Sequence, residues 1–253
     1  MPFAISVANL KEALRRSGCP VCRLGHQAAA ASVESFLWEN VNEPDVRQPI
    51  IDAYGFCPRH TRLLVAAEMR NTGPVLGVNI IYEQLGRLAS RELSQLELPD
   101  RGPNALAAVL KRLGVNEPSS TASVLPPKGA CPVCAVVQEN DRGMLETLFE
   151  LLARQEEGFA AAYAASDGLC LNHLRRGLGQ FAAPYPQAAR WLSDETAARL
   201  ERLSAGMREY IRKNNWEYRD EKLTEAESLA WRHMLTFFTG LPGDDFTFMV
   251  DEF

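Results

Sequence analysis

Six cysteines and two of the four histidines in this 253-residue chain fall into four short motifs. They are Cys19-Pro-Val-Cys22, Cys57-Pro-Arg-His60, Cys131-Pro-Val-Cys134 and Cys170-Leu-Asn-His173. Thiolate sulfur and imidazole nitrogen are the ligands that bind zinc tetrahedrally, and a two-residue gap lets both ends of one turn reach the same ion. Chain order suggests one site from Cys19, Cys22, Cys57 and His60 and a second from Cys131, Cys134, Cys170 and His173. Four protein ligands fill a tetrahedron, which is the pattern of a structural zinc; catalytic zinc keeps a position open. The cofactor expected is zinc, two per chain, with a Cys3His-ligated iron–sulfur cluster as the minor alternative. Thioredoxin-type dithiols sit in a βαβ setting and would leave the histidines unexplained. Covalent haem is disfavoured because Arg23 and Ala135, not histidine, follow the CxxC pairs.

The elements that must position these ligands are helical. Pro20 and Pro132 fix φ in the ligand turn, while Gly55 and Gly168 can supply a left-handed residue where the preceding helix ends. Cysteines entering a helix lie beside free backbone N–H groups, which favour the thiolate. The chain between each CxxC and the next CxxH is long enough for a helix out and a helix back. A helix of roughly 12 residues is about 18 Å long, so each metal is expected to clasp the base of a hairpin.

Apolar spacing supports this. Val33, Phe36, Leu37 and Val41 form a helical stripe, as do Leu145, Leu148, Phe149 and Leu152. Ile81, Leu85 and Leu88 give another, and Leu200, Leu203, Met207 and Tyr210 a fourth. Ser6 can cap a first helix that Gly18 ends. Superposing the two CPVC motifs aligns "VESFLWE" with "LETLFEL" and, after a one-residue slip, "YGFCPRHTR" with "DGLCLNHLR". The expected fold is all-α, two duplicated zinc-clasped helical hairpin units packed into one assembly. Residues 1–97 form the first unit, 98–130 a linker with a short helix, 131–242 the second unit and 243–253 an acidic, aromatic tail.

Composition excludes several classes. A formal charge of −5 argues against a nucleic-acid binder, which needs clustered cations. No apolar run approaches the roughly 20 residues of a membrane span, and the N-terminus lacks the pattern of a secretory signal. The expected location is the reducing cytoplasm, where CxxC pairs point to metal and not to disulfides. No phosphate-binding lysine loop, G-x-S-x-G elbow or Glu-x-x-His pair is present. His26 is at most a spare ligand or a hydrogen-bond donor to one, and the other repeat carries Gln138 there. His233 reads as a packing or surface residue, Glu146 and Glu150 as a solvated face, and Trp216, Tyr218 and Trp231 as packing anchors. In the tail, Phe246, Phe248 and Val250 alternate beside acidic residues, as in an extended segment that covers its own helices, is frayed, or docks on a partner.

The segments "GCPVCRL", "FLWENVNEPDVR", "GFCPRHTRLL", "LGVNIIYE", "SDGLCLNHL", "EYIRKNNWEYRDE" and "WRHMLTFFTG" together resemble a bacterial family classed as a domain of unknown function, marked by paired CPxC and GxCxxH motifs. The resemblance spans nearly the whole chain and keeps all eight ligand positions. It implies a helical protein with two metal knuckles and brings no activity. The expectation is a non-enzymatic interaction or adaptor module, with a protein partner or self-association; the alternative is a redox or metal sensor with labile zinc–thiolate sites.

Overall fold

A computed structural model describes residues 4–70, 75–95, 126–218 and 220–240. The described residues are helical without a strand. The described residues form ten α-helices: α1 (Ala4–Ala13), α2 (Pro20–Ser35), α3 (Pro44–Asp52), α4 (Pro58–Arg70), α5 (Leu76–Ser94), α6 (Pro132–Ala153), α7 (Phe159–Ala165), α8 (Leu171–Phe181), α9 (Pro186–Lys213) and α10 (Glu225–Thr239). Among them, no helix is long and apolar enough to cross a membrane.

The chain divides into two compact units: residues 1–29 with 136–253, and residues 30–135. These differ from the sequence divisions 1–97 and 131–242, because two helices carry the chain from one unit to the other. Helix α2 starts in the first unit and ends in the second, and α6 does the reverse. The linker 98–130, apart from its last five residues, and the tail 243–253 lie outside the described residues.

In the first unit, Leu10 of α1, Leu14 just after it, and Val21 and Leu24 of α2 bury with Leu145, Leu148 and Phe149 of α6, with Phe159, Tyr163, Phe181 and Leu192 completing the core. The expected stripe on α6 is thus its buried face. Phe149 stacks at a tilt on Phe181, with ring centroids 5.6 Å apart. Helices α9 and α10 approach closely: a Cβ on Gly206 would stand 3.2 Å from that of Ala230. Thr224 and Glu227 form a reciprocal capping box at the start of α10, satisfying two otherwise orphaned N–H groups.

In the second unit, Val33, Phe36, Leu37 and Val41 bury with Ile50, Leu64, Ile81 and Leu85. The sequence predicts a regular helix across this first stripe. The structure instead places a π turn at Phe36–Asn40 within it, and Val33, Phe36, Leu37 and Val41 all stay buried. Phe36 meets Phe56 edge-on, centroids 5.6 Å apart.

Two smaller expectations are corrected. Ser6 lies inside α1 and α1 ends at Ala13, before Gly18, although Gly18 does adopt φ +89°. Trp216 is not a packing anchor but 76% exposed, and Tyr218 lies beneath the Arg212 guanidinium, 4.6 Å from its ring centre.

Candidate metal centres

All four ligand motifs occupy the same local position. Helices α2, α4, α6 and α8 begin at Pro20, Pro58, Pro132 and Leu171. The first cysteine of each motif is therefore the residue before the helix, and the second ligand is its third residue. Side chains at these two places face each other over the open end of a helix, as in a capping box. Proline suits the first helical position because its missing N–H would be unpaired there anyway. The unpaired N–H groups and the positive end of the helix dipole favour thiolate.

The structure brings the eight residues together in two tetrads, but not in chain order. Cys19 and Cys22 join Cys170 and His173; Cys57 and His60 join Cys131 and Cys134. The chain-order pairing of Cys19 and Cys22 with Cys57 and His60 is thereby corrected, as is that of Cys131 and Cys134 with Cys170 and His173. The reason is helix length. The hairpin picture assumes a short helix out and an equal helix back, but α2 has 16 residues and α6 has 22, about 24 and 33 Å. Each long helix leaves its own CxxC behind in one unit and delivers the following CxxH to the other. Each tetrad nevertheless lies wholly within one unit.

In the first unit, Nδ1 of His173 lies 3.5, 3.3 and 3.3 Å from Sγ of Cys19, Cys22 and Cys170, and the sulfurs of Cys22 and Cys170 are 3.7 Å apart. In the second, Nδ1 of His60 lies 3.3, 3.4 and 3.4 Å from Cys57, Cys131 and Cys134, with Cys57 and Cys134 again 3.7 Å apart. A tetrahedron with zinc–sulfur bonds of about 2.3 Å and zinc–nitrogen bonds of about 2.0–2.1 Å has S···S edges of about 3.8 Å and S···N edges of about 3.6 Å. The donor sets fit that ion in both number and spacing. All six cysteines are free of disulfides.

The sulfurs compete for negative charge. Hydrogen bonds from Cys19 and Cys22 hold the Cys170 thiol far below its usual value, and Cys170 and Cys19 in turn push Cys22 far above. In the second unit, Cys57 is held down despite desolvation by the His60 N–H and the Cys134 and Cys131 sulfurs. Desolvation and Cys57 push Cys134 up to about 12. Accommodating three thiolates together is the demand that a divalent cation meets.

Support around the first tetrad comes from residues that spacing did not single out. Asp141, buried on α6, places Oδ2 3.1 Å from Nε2 of His173 and accepts a 2.8 Å hydrogen bond from Arg176. A carboxylate on Nε2 fixes the tautomer that aims the Nδ1 lone pair at the sulfurs. Burial opposes charge on His173, but Asp141 and the sulfurs outweigh it and push its pKa up to about 11, so a metal would bind at Nδ1 by displacing a proton. Gly25 leaves room for this carboxylate, since a Cβ there would stand 2.7 Å from Oδ1.

Asp167 ties the two ligand turns together. Its Oδ2 accepts the N–H of Gly18, beside Cys19, while its own turn leads to Cys170. Its Oδ1 lies 2.7 Å from Nδ1 of His233, so His233 is part of this support. Arg199 donates to the carbonyls of Asp167 and Tyr163 at 2.8 and 3.0 Å. Gly168, at φ +70°, has no room for a side chain: a Cβ would lie 1.6 Å from Nη1 of Arg199. Gly240 closes α10 at φ +76°, and a Cβ there would stand 2.6 Å from the Cys22 sulfur. The end of α10 therefore lies directly on the first tetrad.

In the second unit, Gly55 takes φ +99° as expected. Asp52 O accepts the N–H groups of Lys128 and Gly129 at 2.7 and 3.1 Å, holding the approach to Cys131. His26 and Gln138 are exposed and belong to neither tetrad. Glu146 is exposed, as a solvated face should be, whereas the Glu150 side chain is only 14% exposed and pairs with Arg154, so the expectation holds for the first of the two alone.

A family model, the family of unknown function DUF6062, matches residues 1–242. The chain belongs to this family. A relative in Caldicellulosiruptor sp. (strain Rt8B.4), described as an uncharacterized 23.9 kDa protein in the xynA 3' region, is 24% identical over 237 residues, covering 92% of this chain and 98% of its own. No solved structure matches the chain.

Proposed function

We propose that this DUF6062 protein is a non-enzymatic interaction or adaptor module, whose two helical units are each closed by a structural Cys3His zinc. The donor spacing supports this reading: in each tetrad the four donor atoms lie within 4.8 Å of one another, with S···N distances of 3.3–3.5 Å and an S···S distance of 3.7 Å, close to the edges of a tetrahedral zinc site. Bound there, the ion supplies a cross-link between two helix N-termini that are distant in sequence, and the four protein donors take every tetrahedral position. The repeated sequence segments and the shared placement of all four motifs support descent from a duplicated unit. Six free cysteines, all in ligand motifs, suit a reducing cytoplasm. Large apolar side chains at the surface, Ile211 at 69% and Trp216 at 76% exposure, are of the kind that a protein partner or a second copy covers.

Elemental analysis of the full chain tests the zinc assignment. The expected result is two zinc per chain in a colourless protein, with loss of helicity on chelation, because structural zinc contributes on the order of 10–16 kcal/mol in small peptides. A brown protein with iron and sulfide would overturn it. A second reading, a sensor with labile thiolates, is favoured by one observation: Cys57 and Cys134 are only half-buried.

A further inference from the structure

The two tetrads have the same donors and differ in their surroundings. In the first, Gly18, Cys19, Pro20, Val21, Gly168, Leu169 and Cys170 are all buried. The end of α10 covers the sulfurs of Cys22 and Cys170, with no space for even one methyl group on Gly240. In the second, the approach segment 126–130 is exposed throughout, as are Pro58 and Arg59 beside Cys57 and Ala135 beside Cys134. Cys57 and Cys134 are half-buried with their sulfurs 3.7 Å apart, while Cys131 and His60 are buried. Cys22 is half-buried as well, its sulfur 3.7 Å from that of Cys170, so the two tetrads differ in the cover that Gly240 lays over those sulfurs and in the exposure of the flanking residues.

From this contrast we infer that the second tetrad is an oxidation site, at which a hydroperoxide joins Cys57 to Cys134. The inference rests on the zinc reading above and assigns the lability to one unit. Peroxide needs access to a thiolate lone pair, and a disulfide needs two sulfurs already in contact. One thiolate attacks the peroxide O–O bond, becoming a sulfenic acid as water leaves with a solvent proton. The second thiolate attacks that sulfur; the S–S bond forms, the S–O bond breaks, and hydroxide leaves and is protonated. The sum is two thiolates, one hydrogen peroxide and two protons giving a disulfide and two waters. The ion loses two of four ligands and passes into solution, and a thiol reductant restores the site. The first tetrad stays closed under the same treatment, so oxidation opens one unit and spares the other.

Zinc-loaded full chain treated with a small excess of hydrogen peroxide tests this, with release followed by a chromogenic chelator and disulfides located by peptide mass mapping. The first zinc equivalent should leave at least tenfold faster than the second, and the first disulfide should link Cys57 with Cys134. In Gly240→Ala, whose Cβ displaces the cover over Cys22, the second equivalent should leave faster and the first at the same rate; no change in the second would remove the shielding that the inference depends on. Two zinc ions that leave together, that resist alike, or a first disulfide between Cys22 and Cys170, overturn the inference and leave the zinc assignment standing. A chain that takes up no zinc overturns both.

Discussion

Asp141 grips the ring of His173 from behind: Oδ2 sits 3.1 Å from Nε2, while Nδ1 on the opposite edge faces three sulfurs at 3.3–3.5 Å. The carboxylate both orients the ring and raises its basicity as a ligand. Asp141→Asn keeps the shape and removes the charge. It should weaken metal at the first tetrad by roughly 10–100-fold in competition with a chelator, leaving the second unaltered. Equal weakening at both would show that Asp141 acts through general stability.

Ligand pairing has a sharp genetic signature. Cys19→Ser and Cys170→Ser should each cost the same single metal equivalent, so that their combination still binds one. Cys19→Ser combined with Cys57→Ser should bind none. Metal counting by mass spectrometry under native conditions separates this from chain-order pairing, which predicts the reverse for the two double variants.

Two glycine substitutions should act in opposite directions. Gly168→Ala forces a left-handed residue to carry a Cβ into the Arg199 guanidinium and should cost about 1–3 kcal/mol from backbone strain alone. Gly143→Ala, inside α6 with nothing within 4 Å of the added carbon, should stabilise by about 0.5–1 kcal/mol. Thermal denaturation of the zinc-loaded proteins measures both.

The His233–Asp167 pair should leave a trace in the pH dependence of stability. Its hydrogen bond to Asp167 raises the His233 pKa above 6.5; Asp167 is lowered despite desolvation, held by His233 and the Gly18 N–H. A raised histidine pKa stabilises fully below the unfolded value and loses its effect as pH climbs through the folded one. His233 is 42% exposed in its side chain, so solvent screens the pair and the effect is small. Melting curves from pH 6 to 9 should show the wild type's margin over His233→Gln shrinking as pH rises. A margin that grew with pH would contradict the pairing.

The eight residues of the two tetrads are legible as candidate ligands because cysteine and histidine two residues apart announce their chemistry locally. Their partners were not readable, because pairing depends on how far α2 and α6 run before turning, and amphipathic spacing fixes a helix's buried face much better than its end. Asp141 left one signal: it stands one turn before Leu145 on the α6 stripe, an acidic residue on a face that is otherwise apolar. Nothing local marks Gly240, whose role comes from where the end of α10 lands. The π turn at Phe36–Asn40 escaped because four apolar residues at helical spacing look alike whether or not a residue is inserted among them.

The exchange of ligands between distant motifs also sets a timetable for synthesis. Residues 30–135 are contiguous and lie in sequence inside the other unit, so the inner unit holds all its donors once Cys134 has emerged, 74 residues after His60. Cys22 must wait 151 residues for His173, about 8–30 s at roughly 5–20 residues per second. For that interval two thiols at the head of the nascent chain have no native partner and are open to oxidation, to capture by other metals and to the wrong histidine. The ribosome thus delivers one complete donor set nested inside an incomplete one, and α10 arrives later still to seal the site that Cys19 and Cys22 began.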